Sequence, residues 1–174
     1  MRSFKMKITV WQIIFLLLTI ALMVTIFMLS SQTAKESSNT SHGLTKIAVM
    51  IIDKDYAKRS PERQKEIWST ASFIVRKLAH FSIYTALGFC ASMTVGKRKL
   101  FTLKSLFVVV FCFLYAFSDE LHQTMSEGRS CEFRDMMIDT CGSVVGMLIS
   151  IVFMCIIACF TRKINDKRNS TAVP

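Results

Sequence analysis

The chain has 174 residues, of which 52% are hydrophobic and only 20% charged, and its mean hydropathy is +0.41. So apolar a composition excludes a soluble domain of this size and predicts an integral membrane protein. The formal net charge of +10 does not point to nucleic acid, because the cations flank apolar runs and build no basic domain with an aromatic platform.

The first candidate span, 8–29, is 22 residues without a charge and follows Arg2, Lys5 and Lys7. A hydrocarbon core about 30 Å thick needs roughly 20 helical residues. The run is too long for the apolar part of a signal peptide and no A-x-A site follows, so an uncleaved first span is expected. The loop 31–73 comes next. Its Ser-, Thr- and Asn-rich start, 31–43, reads as a mobile linker. Leu44, Ile47, Ala48, Ile51 and Ile52 then recur at helical spacing, which predicts a short amphipathic helix lying on the membrane or capping a bundle. Ser60-Pro61-Glu62 has the chemistry of a helix start, with a hydroxyl cap, proline at the first position and an acid in the first turn. That helix is expected to run into the second span, 75–96, with Trp68 at the interface.

The third span, 100–121, carries Lys104 near its start and its apolar stretch, 100–117, is the shortest of the four, and the fourth, 136–161, carries Asp139 near its start. Alternating short apolar segments typical of a barrel are missing, so the fold class is all-α: one membrane domain over 1–174, a bundle of four transmembrane helices with an amphipathic helical first loop. Gly142-x-x-x-Gly146 permits close helix approach, either to a second copy or within the bundle. Cys90, Cys112, Cys141, Cys155 and Cys159 lie in apolar stretches and Cys131 in a polar loop, a pattern of small apolar side chains and not of a disulfide framework.

Lys and Arg cluster before the first span, in 97–104 and in the tail after Thr161, eleven in all. The positive-inside rule therefore expects a multi-pass protein of the cell membrane with both termini cytoplasmic. Nine cations in and just after the first loop act against this, but long loops translocate with less regard to charge. In either orientation His80, Asp119, Glu120, His122, Asp135 and Asp139 converge at one interface, with Arg129 in the loop between spans three and four.

Titratable groups at span edges are costly and tend to be functional. In Ser118-Asp119-Glu120-Leu121-His122-Gln123, helical spacing puts Asp119, His122 and Gln123 on one face, so the carboxylate could orient the imidazole as in acid/base pairs; an ordinary solvated helix end is an equal reading. In Arg76-Lys77-Leu78-Ala79-His80, with Tyr84 one turn on, the cations could engage an anion while His80 moves a proton. The plainer reading has Arg76 and Lys77 reaching headgroups and His80 bonded in the core. Asp135 and Asp139 share a face near a helix N-terminus, which the macrodipole favours for Asp135, and their mutual repulsion asks for a bridging Arg, a shared proton or a cation. Arg129 suits the bridge or a fork for phosphate.

His80-Phe81-x-x-Tyr84, Ser118-Asp119-Glu120-x-His122-Gln123, Gly128-Arg129 and Asp135-x-x-x-Asp139-x-x-Gly142 together resemble the VanZ-like membrane proteins in spacing and order, over roughly Lys77 to Gly146. The second acid, here Asp139, is often Asn in that family. The resemblance implies a cell-envelope protein and a link to resistance against the glycopeptide antibiotic teicoplanin, without supplying a reaction.

Two functions of different class follow. One is a membrane-embedded hydrolase or transferase acting on a phospholipid or lipid-linked cell-wall precursor. His80, Asp119, Glu120, His122 and Asp135 would carry the chemistry, and Arg76, Lys77, Tyr84, Gln123, Arg129 and Asp139 would hold the substrate. A nucleophile is not evident, Ser82 and Ser118 being the only candidates. The other is a non-catalytic module binding a lipid headgroup, glycopeptide or partner protein. Membrane lipids are the expected partners. A zinc or manganese site from His80, His122, Asp119 and Glu120 fits by ligand type, though no tight ligand motif marks it. A transporter does not suit a one-sided polar cluster.

Overall fold

The structure is a computed structural model that describes residues 9–96, 100, 102–126 and 132–171. Six α-helices and no strands occur among the described residues: α1 (Val10–Ser30), α2 (Ala34–Thr40), α3 (His42–Ile52), α4 (Pro61–Val95), α5 (Leu103–Gln123) and α6 (Phe133–Thr171). Four of them, α1, α4, α5 and α6, are long and apolar enough to cross a membrane. Their outward faces carry side chains such as Leu17, Leu106, Phe107 and Val152, all exposed, as a lipid-facing surface requires. The protein is an all-α membrane bundle.

Local chemistry sets the helix ends. Thr9 opens α1 with a reciprocal capping box to Gln12. Ser60 caps α4 from the Arg63 amide, with Pro61 in the first turn, as the sequence predicts. The 35 residues of α4 measure about 52 Å at 1.5 Å per residue, more than a bilayer core needs. Its first turns, before the second span, bury Ile67 and Ala71 against Val49 of α3, and Trp68 lies over His42 with ring centroids 4.9 Å apart.

One expectation is overturned. The segment 31–43 is not an irregular linker, because it contains α2, started by a capping box in which Thr33 accepts from the Glu36 amide and Glu36 takes the Thr33 N–H. That backbone hydrogen bond holds the Glu36 carboxyl below its usual range. The polar composition of the segment masked a Thr-x-x-Glu start signal. The amphipathic α3 is present as expected. Thr45 and Val49 pack inward while Leu44, Ile47 and Ile51 stay exposed, an apolar face suited to an interface. Between α3 and α4, Arg59 forks onto Asp53 at 2.8 and 3.3 Å and lowers its pKa.

The α4–α6 contact is the closest in the bundle. Gly88 lies on the Ser143 backbone, Gly142 on the Phe81 carbonyl and Gly146 on the Thr85 carbonyl. Gly142-x-x-x-Gly146 therefore serves packing within one chain. Apolar side chains gain little by leaving lipid for protein, so such backbone approach and interhelical hydrogen bonds stabilise a bundle. Ser143 donates to the Tyr84 carbonyl at 3.2 Å, the Ser92 and Ser150 hydroxyls bond each other, Tyr115 donates to the Met23 carbonyl at 2.6 Å and Gln12 to the Thr94 carbonyl at 3.0 Å. Leu87, Val108, Cys112, Ala116 and Met147 fill the centre. All five described cysteines are free, with Cys90 and Cys112 buried and Cys141, Cys155 and Cys159 on the outward face.

Candidate functional site

At the end of the bundle where α1 and α5 finish and α6 begins, three helices aim polar side chains into one cavity of about 200 Å³. From α4 come Arg76, Lys77 and His80, from α5 Gln123, and from α6 Asp135 and Asp139, with Ser37 of α2 and Phe73 at the rim. Helix periodicity puts Arg76 and His80 one turn apart on one face, and Asp135 and Asp139 likewise. The glycine contacts just deeper bring those two faces together.

His80 Nδ1 stands 3.7 Å from Asp139 Oδ2, too long for a hydrogen bond but within ion-pair range. Asp139 is 1% exposed and its Oδ2 has no hydrogen-bond partner among the described residues. Asp119 is also buried and comes from the opposite side, so that one ligand atom each of His80, Asp119 and Asp139 lies within 4.8 Å of the others. Gln123 donates to Asp119 Oδ2 at 3.1 Å. Lys77 pairs with Asp135, and its ammonium also sits 5.2 Å from the Phe73 ring centre. Arg76 makes no ion pair or hydrogen bond among the described residues, which leaves a guanidinium facing the cavity.

The other candidate residues are placed differently from one another. Glu120, 1% exposed, accepts the Glu132 backbone N–H at 3.1 Å and so ties α5 to the start of α6. His122 turns to α1: its ring stacks on Phe27 with centroids 4.2 Å apart, and Nε2 is 2.9 Å from the Ser31 hydroxyl. Asp119 is thus bonded to Gln123, and His122 to α1. The four-residue metal set His80, His122, Asp119 and Glu120 is not assembled, and the residues that do gather are His80, Asp119 and Asp139. Tyr84 is fully buried below the cavity, its hydroxyl without a hydrogen-bond partner among the described residues but in electrostatic range of Asp119 and Asp139. Arg129 lies outside the described residues.

A second, mostly apolar groove of about 270 Å³ adjoins the polar cavity. Ile26, Leu29, Leu44, Val75, Ala79 and Ile83 line it, and it shares Ser37, Arg76 and His80 with its neighbour. Sequence reasoning missed this groove and the part α2 plays in both walls. The Thr33-x-x-Glu36 signal could have found the helix, but nothing local could have shown where it docks.

A family model described as VanZ/LLP1 matches residues 15–154. No curated protein and no solved structure matches the chain.

Proposed function

Because the chain belongs to the VanZ/LLP1 family, we propose that it is a cell-envelope protein that seats an anionic lipid at one membrane interface, either a phospholipid or a lipid-linked envelope precursor. One observation carries this reading: the polar cavity and the apolar groove share Arg76, His80 and Ser37. An amphiphile with its headgroup in the first and its chain in the second would have its phosphate beside those residues. Arg76 offers the planar fork that phosphate favours. His80, held against buried Asp139, is placed to exchange a proton with a headgroup oxygen, which suits hydrolysis or transfer at phosphate. The positive-inside pattern supports an outer-face position for this interface, with both termini cytoplasmic.

A non-catalytic reading has its own support. Lys77–Asp135, Gln123–Asp119 and Glu132–Glu120 are bonds within the protein, as a network holding helix ends in register would be. His80→Gln separates the two, because an enzyme would keep bound lipid and lose turnover, whereas a binding module would keep its whole function.

The lipid reading is tested by mass spectrometry of lipid retained by the full chain purified in nanodiscs of phosphatidylglycerol. Removing a hydrogen bond to a charged group is worth about 1.5–3 kcal/mol, so Arg76→Gln should weaken retention roughly 10- to 100-fold. Ala79→Trp, which fills the groove, should compete with the chain. Retention unchanged in both variants would refute the reading. A role in teicoplanin resistance is suggested by family membership alone. It predicts that expression of wild type raises tolerance and that Arg76→Gln at equal membrane level does not.

A further inference from the structure

We propose that His80, Asp119 and Asp139 form a binding site for one divalent transition-metal ion, zinc or manganese, at the floor of the polar cavity. Three separate helices deliver the three side chains, and their ligand atoms lie within 4.8 Å of one another. Four-coordinate zinc with bonds of about 2.0–2.2 Å places its ligands roughly 3.4 Å apart. The 3.7 Å between His80 Nδ1 and Asp139 Oδ2 is close to that spacing, and the Asp119 ligand atom, within 4.8 Å of both, would draw in on binding.

The second observation is the state of Asp139. It is 1% exposed, and the oxygen facing His80 has no hydrogen-bond partner among the described residues. A buried carboxylate oxygen without a partner is costly, and a second carboxylate beside it adds repulsion. The cations nearby are otherwise placed: Lys77 is paired with Asp135 one turn up, and Arg76 makes no ion pair among the described residues. Gln123 satisfies Asp119 by one neutral hydrogen bond. An ion bound by one nitrogen and two oxygens neutralises the pair, and this mixed ligand set suits zinc or manganese better than calcium. The site opens on the cavity through His80, which leaves coordination positions for water or a headgroup oxygen. Such an ion would act there as a Lewis acid.

The test is metal content of the full chain, purified in detergent, stripped with chelator and dialysed against zinc or manganese chloride, read by mass spectrometry. Wild type is expected to retain about one ion per chain and to unfold at a higher temperature when loaded. Asp139→Asn and Asp119→Asn should lose both the ion and the shift. His122→Ala, whose ring lies on Phe27, should keep them. If the two buried variants fail to fold, His80→Ala, whose side chain is only partly buried, decides the matter by losing at least tenfold in affinity. A wild type without stoichiometric metal, or a His80→Ala variant loading as wild type does, overturns the site and leaves a shared proton between the carboxylates. Lipid retention measured on the same samples distinguishes this failure from failure of the headgroup reading.

Discussion

Gly146→Ala sets two physical effects of opposite sign against each other. In a helix interior, alanine is favoured over glycine by about 1 kcal/mol. At Gly146, however, an added Cβ would fall well inside contact distance of the Thr85 carbonyl and 2.7 Å from the Phe89 amide nitrogen. Both obstacles are backbone atoms of α4, so no side-chain tip can swing aside and the helices must separate. Overpacking of this kind costs about 1–3 kcal/mol, here at the upper end, for a net loss of about 2 kcal/mol. Gly43 of α3 has nothing within 4 Å of its would-be Cβ, so Gly43→Ala should be neutral or stabilising by up to about 1 kcal/mol. Reversible unfolding in mixed micelles, followed by circular dichroism, gives both numbers. Gly146→Ala unfolding at or above the wild-type midpoint would refute the claim that backbone contact between α4 and α6 holds the bundle. The effect should reach the site as well, because Gly142 rests on Phe81, the neighbour of His80. Gly142→Ala is expected to widen the His80–Asp139 spacing and weaken whatever binds there.

Glu120 gives a prediction about positioning. Glu120→Gln keeps an acceptor for the Glu132 amide and should leave stability within about 0.5 kcal/mol, whereas Glu120→Ala strands that amide and opens a cavity, costing about 2–4 kcal/mol; equal midpoints for the two variants would contradict the role. Asp53 gives a pH dependence. Its hydrogen bond from Arg59 puts the folded pKa below the unfolded one, so the stabilisation is present above the unfolded pKa and is lost as pH falls through the folded value, below about pH 4. Hydrogen exchange in 53–60 should therefore accelerate on acidification in wild type beyond the intrinsic rate, and Arg59→Gln should remove that difference.

The membrane class, the four spans and the start of α4 at Ser60-Pro61 were legible in the chain, because hydrophobic length and cap chemistry are local. The helix at 34–40 was not legible because a capping box is one pair of residues inside a polar composition that also describes loops. Within the candidate site, periodicity correctly put Arg76 with His80 and Asp135 with Asp139, since each pair belongs to one helix. It could not tell that Asp119 would bond Gln123 while His122 turned to Phe27 of α1 and to Ser31 just after it.

By itself, then, the sequence determined what each helix offers on each of its faces and at which end of the bundle its polar residues lie. Which faces confront one another was decided only by the tertiary structure. The rotation of one helix about its axis relative to its neighbour depends on where backbones can touch, and here Gly88, Gly142 and Gly146 set that contact. A turn above it, the same rotation brings His80 to Asp139, whose buried Oδ2 has no hydrogen-bond partner among the described residues.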